Sequence, residues 1–540
     1  MADQIRQGTE PSTWAPMASA IFRGLWFAQL GSNVGTWMQT VGAQWMLVNE
    51  PNAAVLVSLV QVATTLPVML LSLPSGVLAD LLDRRHLLIS VQTAMALTAG
   101  LLAVLTWAGV TTPVVVLVLL FLMGCGQALT APAWQAIQPS LVPRAQIPAA
   151  AALGGMNVNV GRAVGPAIAG VLVSVSGPTL VFGLNALSFI GVVVVLIAWR
   201  EKKPAAQALP MERPVAALGS GLRFIRNAPA VRRILLRSVL FIVPASALWA
   251  LLPVVAHGAL HLESAGYGGL LGALGLGAVL GAFGLSRLRM RFSANELMAA
   301  SAIVFGGATV GLALVPSVIV VALVLILAGT AWLVVLSTLN SSMQLMLPNW
   351  VRARGLAAYM VVFMGGQAVG SLLWGGVAGL TDTVWALIVS AILLGICAMS
   401  VATWPLPPTI GQLDLTPSAH WPEPALAFEP DPSDGPVMVL KTYQVAAEDI
   451  DSFTSLMCKV GEAQQRSGAM QWGLFADGNA PGRFVEKFLI RSWEGHLRQH
   501  QERNTAAVQA VQAQAEALSI ERPTVRHLIA ATANAPRGGK

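Results

Sequence analysis

The lysines and arginines of this 540-residue chain fall in alternate connections between long apolar segments. The even-numbered connections hold all of the loop cations: Arg84, Arg85, Arg144, eight cations from Arg200 to Arg233, Arg287, Arg289, Arg291, Arg352 and Arg354. The odd-numbered connections hold none. Because lysine and arginine in short loops mark the cytoplasmic side of a membrane, this alternation predicts a multi-pass membrane protein with both termini in the cytosol.

The apolar runs, taken on a scale of about 20 residues, predict twelve membrane spans. They cover residues 22–48, 53–79, 87–108, 112–137, 149–175, 179–199, 233–256, 264–286, 295–314, 316–346, 355–380 and 382–404. The content of 55% hydrophobic and 11% charged residues agrees, since a soluble domain has about 25% charged residues. One long connection separates the first six spans from the last six, which predicts two pseudo-symmetric six-helix bundles.

The domain organisation follows from these spans and from a change of composition near residue 406. We predict a cytosolic N-terminal tail (residues 1–20), an N-terminal six-helix bundle (21–199), a cytosolic joining loop (200–232), a C-terminal six-helix bundle (233–405), a proline-rich linker (406–436) and a soluble domain (437–531). The soluble domain has the pattern βαββαβ, which is typical of a ferredoxin-like fold. The predicted fold class is therefore an all-α membrane protein with twelve transmembrane helices, followed by a small α+β ferredoxin-like cytosolic domain.

The net charge of +7 does not indicate nucleic-acid binding, because the cations belong to the membrane topology. The three cysteines are scattered, and we expect neither a metal nor a cofactor. His496 and His500 have the one-turn spacing of a metal pair. With no further ligand evident, we expect them on a solvent-exposed helix face. No Walker A loop occurs, which argues against ATP hydrolysis as the energy source.

The segment GVLADLLDRRHLL joins the second and third predicted spans. It resembles the loop motif of the major facilitator superfamily, with Gly76, Asp80, Arg84 and Arg85 at matching positions. This resemblance implies a conformational latch, in which the acid and its basic neighbours make contacts between the bundles that stabilise one access state. The corresponding segment of the second half lacks the aspartate, so we expect an asymmetric latch.

The fifth predicted span contains NVNVGRAVGPAIAG, which resembles the glycine-proline motif of exporters in this superfamily. Gly161, Gly165 and Gly170 permit close helix packing, and Pro166 introduces a kink. Glycine-proline pairs also occur in membrane helices for packing alone, so both interpretations remain open at this point.

Arg162 is the most unusual residue of the membrane region, because its position in the fifth span places it about 20 Å deep at 1.5 Å per residue. A cation at such depth costs about 3 kcal/mol, and no carboxylate occurs at comparable depth in the predicted spans. We expect Arg162 to face a cavity, where its partners are either neutral groups, such as Asn159, Asn157, Gln127, Asn33 and Gln29, or else an anionic group of the cargo. The alternative is a structural cation bonded to backbone carbonyls.

Residues 20–405 resemble the branch of the superfamily that includes the enterobactin exporter and macrolide efflux proteins, through FRGLWFAQLGSNVGTWMQTVGAQW, PAWQAIQPSLVP and the glycine-proline motif. The resemblance implies alternating-access export of a small organic molecule, such as a siderophore, secondary metabolite or drug, across the bacterial inner membrane by antiport. Proton coupling rests on this resemblance alone, since Asp80 and His257 are the only titratable options near the span ends. The expected partners are that small-molecule substrate and the lipid bilayer.

The soluble domain resembles antibiotic biosynthesis monooxygenase-like domains, through AMQWGLFADGNAPGRFVEKFLIRSWEGHLRQHQER. Such domains pair through their sheets, so the resemblance implies a homodimer through this domain. Trp472, Tyr443 and Phe475 would line a pocket or fill a core. We find no nucleotide loop, catalytic triad or metal cluster in the sequence and predict that the protein is not an enzyme. The alternative is a membrane-anchored enzyme or ligand sensor whose activity lies in this domain.

Overall fold

The computed structural model describes residues 12, 14–199, 214–407, 414–416, 418, 426, 428 and 430–530. Most of the predicted N-terminal tail, residues 200–213 of the predicted joining loop and most of the predicted linker lie outside the described residues.

Long helices make up the first three quarters of the described chain. They are α1 Ala20–Leu47, α2 Ala53–Leu81, α3 Arg84–Trp107, α4 Pro113–Leu141, α5 Ile147–Ala198, α6 Pro214–Arg226, α7 Pro229–Gly258, α8 Ser264–Arg291, α9 Ala294–Leu314, α10 Val318–Met346, α11 Asn349–Leu380 and α12 Thr383–Met399. Within the described chain, nine helices are long and apolar enough to cross a membrane. The shorter α12 is also apolar. The multi-pass helical membrane architecture is thereby confirmed.

Helix α5 is 52 residues long, which corresponds to about 78 Å at 1.5 Å per residue and exceeds the roughly 30 Å apolar core of a bilayer. It is broken at Gly177, whose φ of 73° and ψ of 175° are not helical. Only glycine adopts such a backbone conformation readily, and Pro178 follows it. The break gives two arms, residues 147–176 and 178–198, and it lies between the predicted fifth and sixth spans.

The chain divides into two compact units. The membrane unit contains residues 1–207, 235–340 and 357–405, and the second unit contains residues 208–234, 341–356 and 406–540. The second unit therefore includes α6, the connection from α10 to α11 and the C-terminal domain. The predicted domain boundaries assigned these pieces to three separate regions.

In the membrane unit, α1 packs along the first arm of α5 and is joined to it by buried polar contacts. The Trp26 indole N–H donates to the backbone oxygen of Leu153 at 2.9 Å. In the second arm of α5, the Asn185 side-chain amide donates to Gln39 at 2.5 Å. The outer surface carries many exposed apolar side chains, including Trp107, Val175, Ile319 and Leu380, as expected of helices that face lipid.

The C-terminal domain contains a four-stranded antiparallel sheet in the order β2-β3-β1-β4. The strands are β1 Val437–Gln444, β2 Gln471–Ala476, β3 Arg483–Ile490 and β4 Thr524–Ile529. The helices are α13 Ile450–Ser467, α14 Trp493–Arg498 and α15 Ala506–Ala517. Alternate residues of β1 are buried, so one face of the sheet supplies the core of the domain.

His496 differs from its predicted position on a solvent-exposed face, because it is fully buried. Its Nε2 lies 3.1 Å from Nε2 of His527, so one of the two nitrogens donates a hydrogen bond to the other. Burial is the main cause that lowers the pKa of His496 to about 2, with smaller contributions from His500 and His527. The described residues contain no group of three or more His, Cys, Asp or Glu side chains able to hold a metal ion.

Candidate functional site

The glycine-proline motif of α5 provides close contacts to two different helices. A Cβ atom at Gly161 would lie 2.8 Å from Asn33 Cβ, and one at Gly165 would lie 2.7 Å from Trp37 Cβ, so these two glycines accommodate α1. A Cβ atom at Gly170 would lie 2.6 Å from the backbone oxygen of Ser264 in α8. The motif therefore packs α5 against a helix of its own half and against a helix of the other half.

The contact between α5 and α8 is formed by backbone atoms on both sides. A Cβ atom at Gly268 would lie 2.6 Å from the backbone oxygen of Pro166 and 2.7 Å from Gly170 Cα. A Cβ atom at Gly275 would lie 2.6 Å from Ala163 Cα. Small residues at such contacts allow membrane helices to approach closely.

A second contact between the two halves joins α2 and α11. Gly375 packs against Ser58, a Cβ atom at Gly379 would lie 2.9 Å from Val55, and one at Gly365 would lie 2.5 Å from Met69 Sδ. Val55 and Ser58 lie near the start of α2, and Gly375 and Gly379 near the end of α11. The two halves are thus packed together at the end where α1 connects to α2.

An aromatic seal, formed by Gln44, Trp45, His257 and Tyr267, lies at the same end. The Trp45 and Tyr267 rings are stacked with centroids 5.8 Å apart, and Trp45 meets the His257 ring at 5.7 Å. The Tyr267 hydroxyl donates to Gln44 Oε1 at 2.6 Å. These contacts link the end of α1 to the end of α7 and the beginning of α8.

Arg162 lies on α5 beside Trp37 of α1, with its guanidinium carbon 5.6 Å from the ring centroid. Its Nε atom is buried and has no hydrogen-bond partner in the described part of the chain. Gln29 lies on the same helix as Trp37, and its Oε1 is likewise buried with no partner among the described residues. Arg162 and Gln29 therefore both retain unused hydrogen-bonding capacity.

The other residues predicted to accompany Arg162 have different environments. The Asn33 side chain donates to Asn157 Oδ1 at 2.8 Å and so joins α1 to α5. Asn159 is exposed and donates to the backbone oxygen of Gly155 one turn earlier. Gln127 is half-buried in α4. Of these three, Asn33 has a defined structural contact between helices.

A central aromatic row, formed by Trp37, Trp249, Trp332 and Phe363, connects the two halves of the membrane unit. The successive ring centroids are 6.2, 5.4 and 6.1 Å apart. The Trp249 indole Nε1 is buried, and the described residues offer it no hydrogen-bond acceptor. Two buried donors, Arg162 Nε and Trp249 Nε1, therefore belong to side chains that flank Trp37.

The residues of the predicted latch lie around the connection from α2 to α3. Gly76 is in α2, where a Cβ atom would meet no described atom within 4 Å. The backbone of Asp80 is helical, and Arg84 is the first residue of α3. Arg85 donates through Nε to the backbone oxygen of Leu196 at 2.8 Å and also bonds that of Ile197, so it caps the second arm of α5.

Asp83 forms the N-cap of α3. Its carboxylate accepts the backbone N–H of His86 at 2.9 Å, and that hydrogen bond is the main cause that lowers the pKa of Asp83.

The C-terminal domain contains a buried acid in its core. Glu486 is fully buried, and it accepts hydrogen bonds from the Tyr443 hydroxyl at 3.0 Å and from the Trp472 indole at 2.9 Å. The exposed Phe475 lies on the opposite face of the sheet. Tyr443 and Trp472 thus satisfy a buried carboxylate, as buried charges require.

These arrangements together define a class of protein. Two groups of membrane helices that pack through small residues at one end, with unsatisfied polar atoms between them, form the architecture of a secondary membrane transporter.

The family model for transmembrane secretion effectors, within the major facilitator superfamily, matches residues 11–535, and the chain belongs to this family. The matched range includes the C-terminal domain as well as the membrane helices.

Named relatives are transporters rather than enzymes. The chain is 25% identical to the multidrug efflux pump Tap of Mycobacterium tuberculosis (strain ATCC 25618 / H37Rv) over 73% of its own length and 94% of that protein. It is 30% identical to the staphyloferrin A transporter of Staphylococcus aureus (strain NCTC 8325 / PS 47), over 30% of its own length and 42% of that protein. The latter match therefore spans less than half of the relative.

Solved structures of transporters share the fold at low sequence identity. The transporter PepTSo of the POT family matches 72% of this chain and 97% of its own, with a TM-score of 0.59 and 12% identity. The nucleoside transporter NupG matches 71% of this chain and 99% of its own, with a TM-score of 0.56 and 14% identity. At these identities the comparison establishes the fold alone.

Several residues of the candidate site were not identified from the sequence, notably Trp249, Trp332 and Tyr267. The first two lie well inside their apolar helices, whereas tryptophan in membrane proteins is enriched at the interfaces. That central position was the available signal. The pairing of these side chains across helices that are distant in sequence carries no local signature.

Proposed function

We propose that this protein exports a small organic molecule, such as a siderophore, a secondary metabolite or a drug, across the bacterial inner membrane by alternating access. The relatives named above are a multidrug efflux pump and a staphyloferrin A transporter, and the alternation of loop cations supports cytosolic termini. The observation that carries the proposal is the backbone contact of Gly170 with Gly268. It joins the two halves through small residues that permit close approach, and alternating access requires one half to move against the other.

Twelve membrane spans are part of this proposal. The two arms of α5 are counted as separate spans, and with α1 to α4 they supply six. Helices α7 to α12 supply the other six. We also infer a ferredoxin-like arrangement for the C-terminal domain, supported by the strand order β2-β3-β1-β4, and we propose the likeness to monooxygenase-like domains for the same region.

Proton antiport is the proposed energy source. The titratable groups available for it are Asp80, at the end of α2, and His257, beside Trp45 in the aromatic seal. Dissipation of the proton gradient should stop export from intact cells while the cellular ATP concentration is held constant. Export that continues under those conditions would exclude proton coupling and leave the exporter proposal intact.

A membrane-anchored ligand sensor is the second candidate, favoured by the inclusion of residues 341–356 in the same compact unit as the C-terminal domain. This domain would then respond to a ligand and act through the start of α11. The Glu486→Gln substitution keeps the hydrogen-bonding shape of the side chain and removes its charge. Normal export by that variant would argue against a charged sensor site.

The decisive experiment compares the culture media of four strains by mass spectrometry. One strain lacks the protein, and the other three produce the wild type, the Gly170→Leu variant and the Gly183→Leu variant. A leucine at position 170 would collide with α8, whereas a Cβ atom at Gly183 meets no described atom within 4 Å.

An exported molecule should be present with the wild type and Gly183→Leu and reduced at least about tenfold with Gly170→Leu, a difference of about 1.4 kcal/mol in the activation barrier. Membrane levels of both variants, measured by immunoblot, should equal that of the wild type. Identical media from all four strains would contradict native secretion. Equal export by the two leucine variants would contradict the proposed closing contact.

A further inference from the structure

We propose that Arg162 and Trp249 form a binding subsite for a carboxylate carried by an apolar or aromatic cargo. This inference rests on the proposed export function and specifies the chemistry of its substrate. The structure places two buried, unsatisfied N–H donors on side chains that flank the Trp37 ring.

The charge of Arg162 has no internal counterion in the described part of the membrane unit. No salt bridge to a carboxylate is found for it among the described residues, and the described acids of this unit lie at helix ends or in connections: Glu50, Asp80, Asp83, Glu263, Glu296 and Asp382. A cation inside a membrane costs about 3 kcal/mol and is normally paired or faces a cavity. An anionic cargo would supply the missing charge.

The geometry of the donors favours a carboxylate. A guanidinium group offers N–H donors in a planar fork that matches the two oxygens of a carboxylate, and such charge-assisted bonds are stronger than neutral ones. Nε of Arg162 is one of these donors, and it is buried without a partner in the described structure. The contact with Trp37 satisfies part of the charge through the ring face but accepts no hydrogen bond from Nε.

Trp249, a second side chain that contacts Trp37, adds a neutral N–H donor. Its ring centroid lies 6.2 Å from that of Trp37, and its indole N–H is buried with no acceptor among the described residues. A buried donor without an acceptor costs about 1 to 3 kcal/mol. We therefore expect a bound ligand to accept a hydrogen bond from this N–H. A carboxylate oxygen is a suitable acceptor.

The central aromatic row supplies the apolar wall beside this subsite. Trp249 continues to Trp332 at 5.4 Å and then to Phe363 at 6.1 Å. Ligand sites are typically lined by apolar and aromatic side chains with a few polar groups that fix orientation. The combination therefore fits an amphipathic molecule with one anionic end and one apolar or aromatic body.

The test measures binding of two matched probes to the purified full-length protein in detergent by isothermal titration calorimetry. The probes are 1-naphthoate and 1-naphthamide, which share the aromatic body and differ in charge. The variants are Arg162→Gln, Arg162→Lys and Trp249→Phe. Arg291→Gln serves as the matched control, because Arg291 is an exposed arginine at the end of α8.

We expect the wild type and Arg291→Gln to bind naphthoate at least about tenfold more tightly than naphthamide, which corresponds to about 1.4 kcal/mol. Arg162→Gln should abolish this preference and leave the naphthamide affinity within about twofold of the wild type. Arg162→Lys should retain part of the preference, because the charge remains and the fork is lost. Trp249→Phe should weaken naphthoate binding about three- to tenfold, because it removes the N–H donor and keeps an aromatic ring.

If Arg162→Gln weakens the binding of naphthoate and of naphthamide equally, the subsite proposal is overturned and Arg162 is a structural arginine. A wild type without preference for naphthoate, or without detectable naphthoate binding at millimolar concentration, would overturn it as well. Binding in detergent requires no flux, so the outcome is independent of the export test. Selective naphthoate binding without any exported molecule would remove the exporter proposal and retain the anion subsite.

Discussion

The guanidinium carbon of Arg503 lies 4.9 Å from the ring centroid of Trp350, and this contact joins the C-terminal domain to the start of α11. Trp350 also meets the Phe224 ring of α6 at 5.7 Å. Arg354, one turn further along α11, donates to the Ser220 hydroxyl at 2.9 Å. The second unit is therefore held together by contacts between three segments that are far apart in sequence.

Replacement of Trp350 by leucine should loosen this unit. The change removes the cation–π contact, which contributes about 0.5 to 2 kcal/mol, and the edge contact with Phe224. We expect faster proteolytic cleavage within residues 406–436 of the full-length protein in detergent, measured by mass spectrometry of the fragments. Trp14→Leu is the control, because Trp14 is exposed. Equal cleavage rates in both variants would exclude a stabilising role for the contact.

Neutralisation of Asp80 should reduce export about tenfold if the predicted latch operates, whereas Asp83→Asn should leave export close to normal. Asparagine is as good an N-cap as aspartate, so the cap of α3 by residue 83 is preserved. The measurement is uptake into inverted membrane vesicles at equal protein density. Normal uptake by Asp80→Asn would remove the latch hypothesis, and a loss restricted to Asp83→Asn would assign the effect to α3.

Acidification should destabilise the C-terminal domain through His496. An unfolded histidine has a pKa of about 6.5, whereas burial lowers that of folded His496 to about 2. Between these two values the unfolded state binds the additional proton. The free energy of unfolding therefore keeps its full value above about pH 6.5. Below that pH it decreases by up to about 1.4 kcal/mol for each pH unit.

Pulse proteolysis in urea from pH 7.5 to 5.0, on the full chain in detergent, measures this dependence. His496→Phe should flatten the pH dependence, since it removes the titrating group and keeps a ring beside Trp493. His86→Gln is the control, because the His86 side chain is 75% exposed. An unchanged slope in His496→Phe would show that another group causes the acid sensitivity.

Arg237 should contribute to the stability of the membrane unit. It is fully buried and donates to the backbone oxygens of Trp404 and Cys397, at 2.9 and 3.2 Å, and to the Ser400 hydroxyl at 3.0 Å. It thereby satisfies the Cys397 carbonyl in the last turn of α12, where a helix terminus leaves carbonyls without partners, and the Trp404 carbonyl beyond the end of that helix. Arg237→Met should cost about 2 kcal/mol or more and lower the melting temperature in detergent by several degrees.

The control is Arg232→Met, since Arg232 is exposed on the same helix. A melting temperature equally lowered in both variants would mean that loss of positive charge, rather than loss of the α12 cap, is responsible.

The general architecture was predictable from the sequence, because the apolar or charged character of each residue decides whether it lies in lipid or in water. Loop cations and apolar runs therefore indicated a multi-pass membrane protein, and Gly177 lies between two of the predicted spans. The motif predicted close packing at Gly161, Gly165 and Gly170. A Cβ atom at each of these positions would lie less than 3 Å from an atom of a neighbouring helix. Which helix each glycine meets depends on tertiary packing and could not be read from the motif.

Residues whose roles depend on distant partners were harder to predict. Because no further metal ligand was evident in the sequence, His496 was expected on an exposed helix face, but it is buried and shares a hydrogen bond with His527 of β4. The Trp37–Trp249 and Trp249–Trp332 pairs join helices separated by long stretches of chain. Arg85 was assigned to the latch from its motif, and its hydrogen bonds to Leu196 and Ile197 give it a capping role that no sequence pattern specifies.

The aromatic contacts of Trp350 affect how this protein can be shortened for biochemical work. Removal of the chain after residue 405 would take away Arg503 and expose more of the Trp350 and Phe224 rings. Exposed aromatic patches of this kind promote aggregation. A truncated protein that fails to transport would therefore report poor solubility as much as a missing activity, and point substitutions in the intact chain are the better means of separating the transporter from its C-terminal domain.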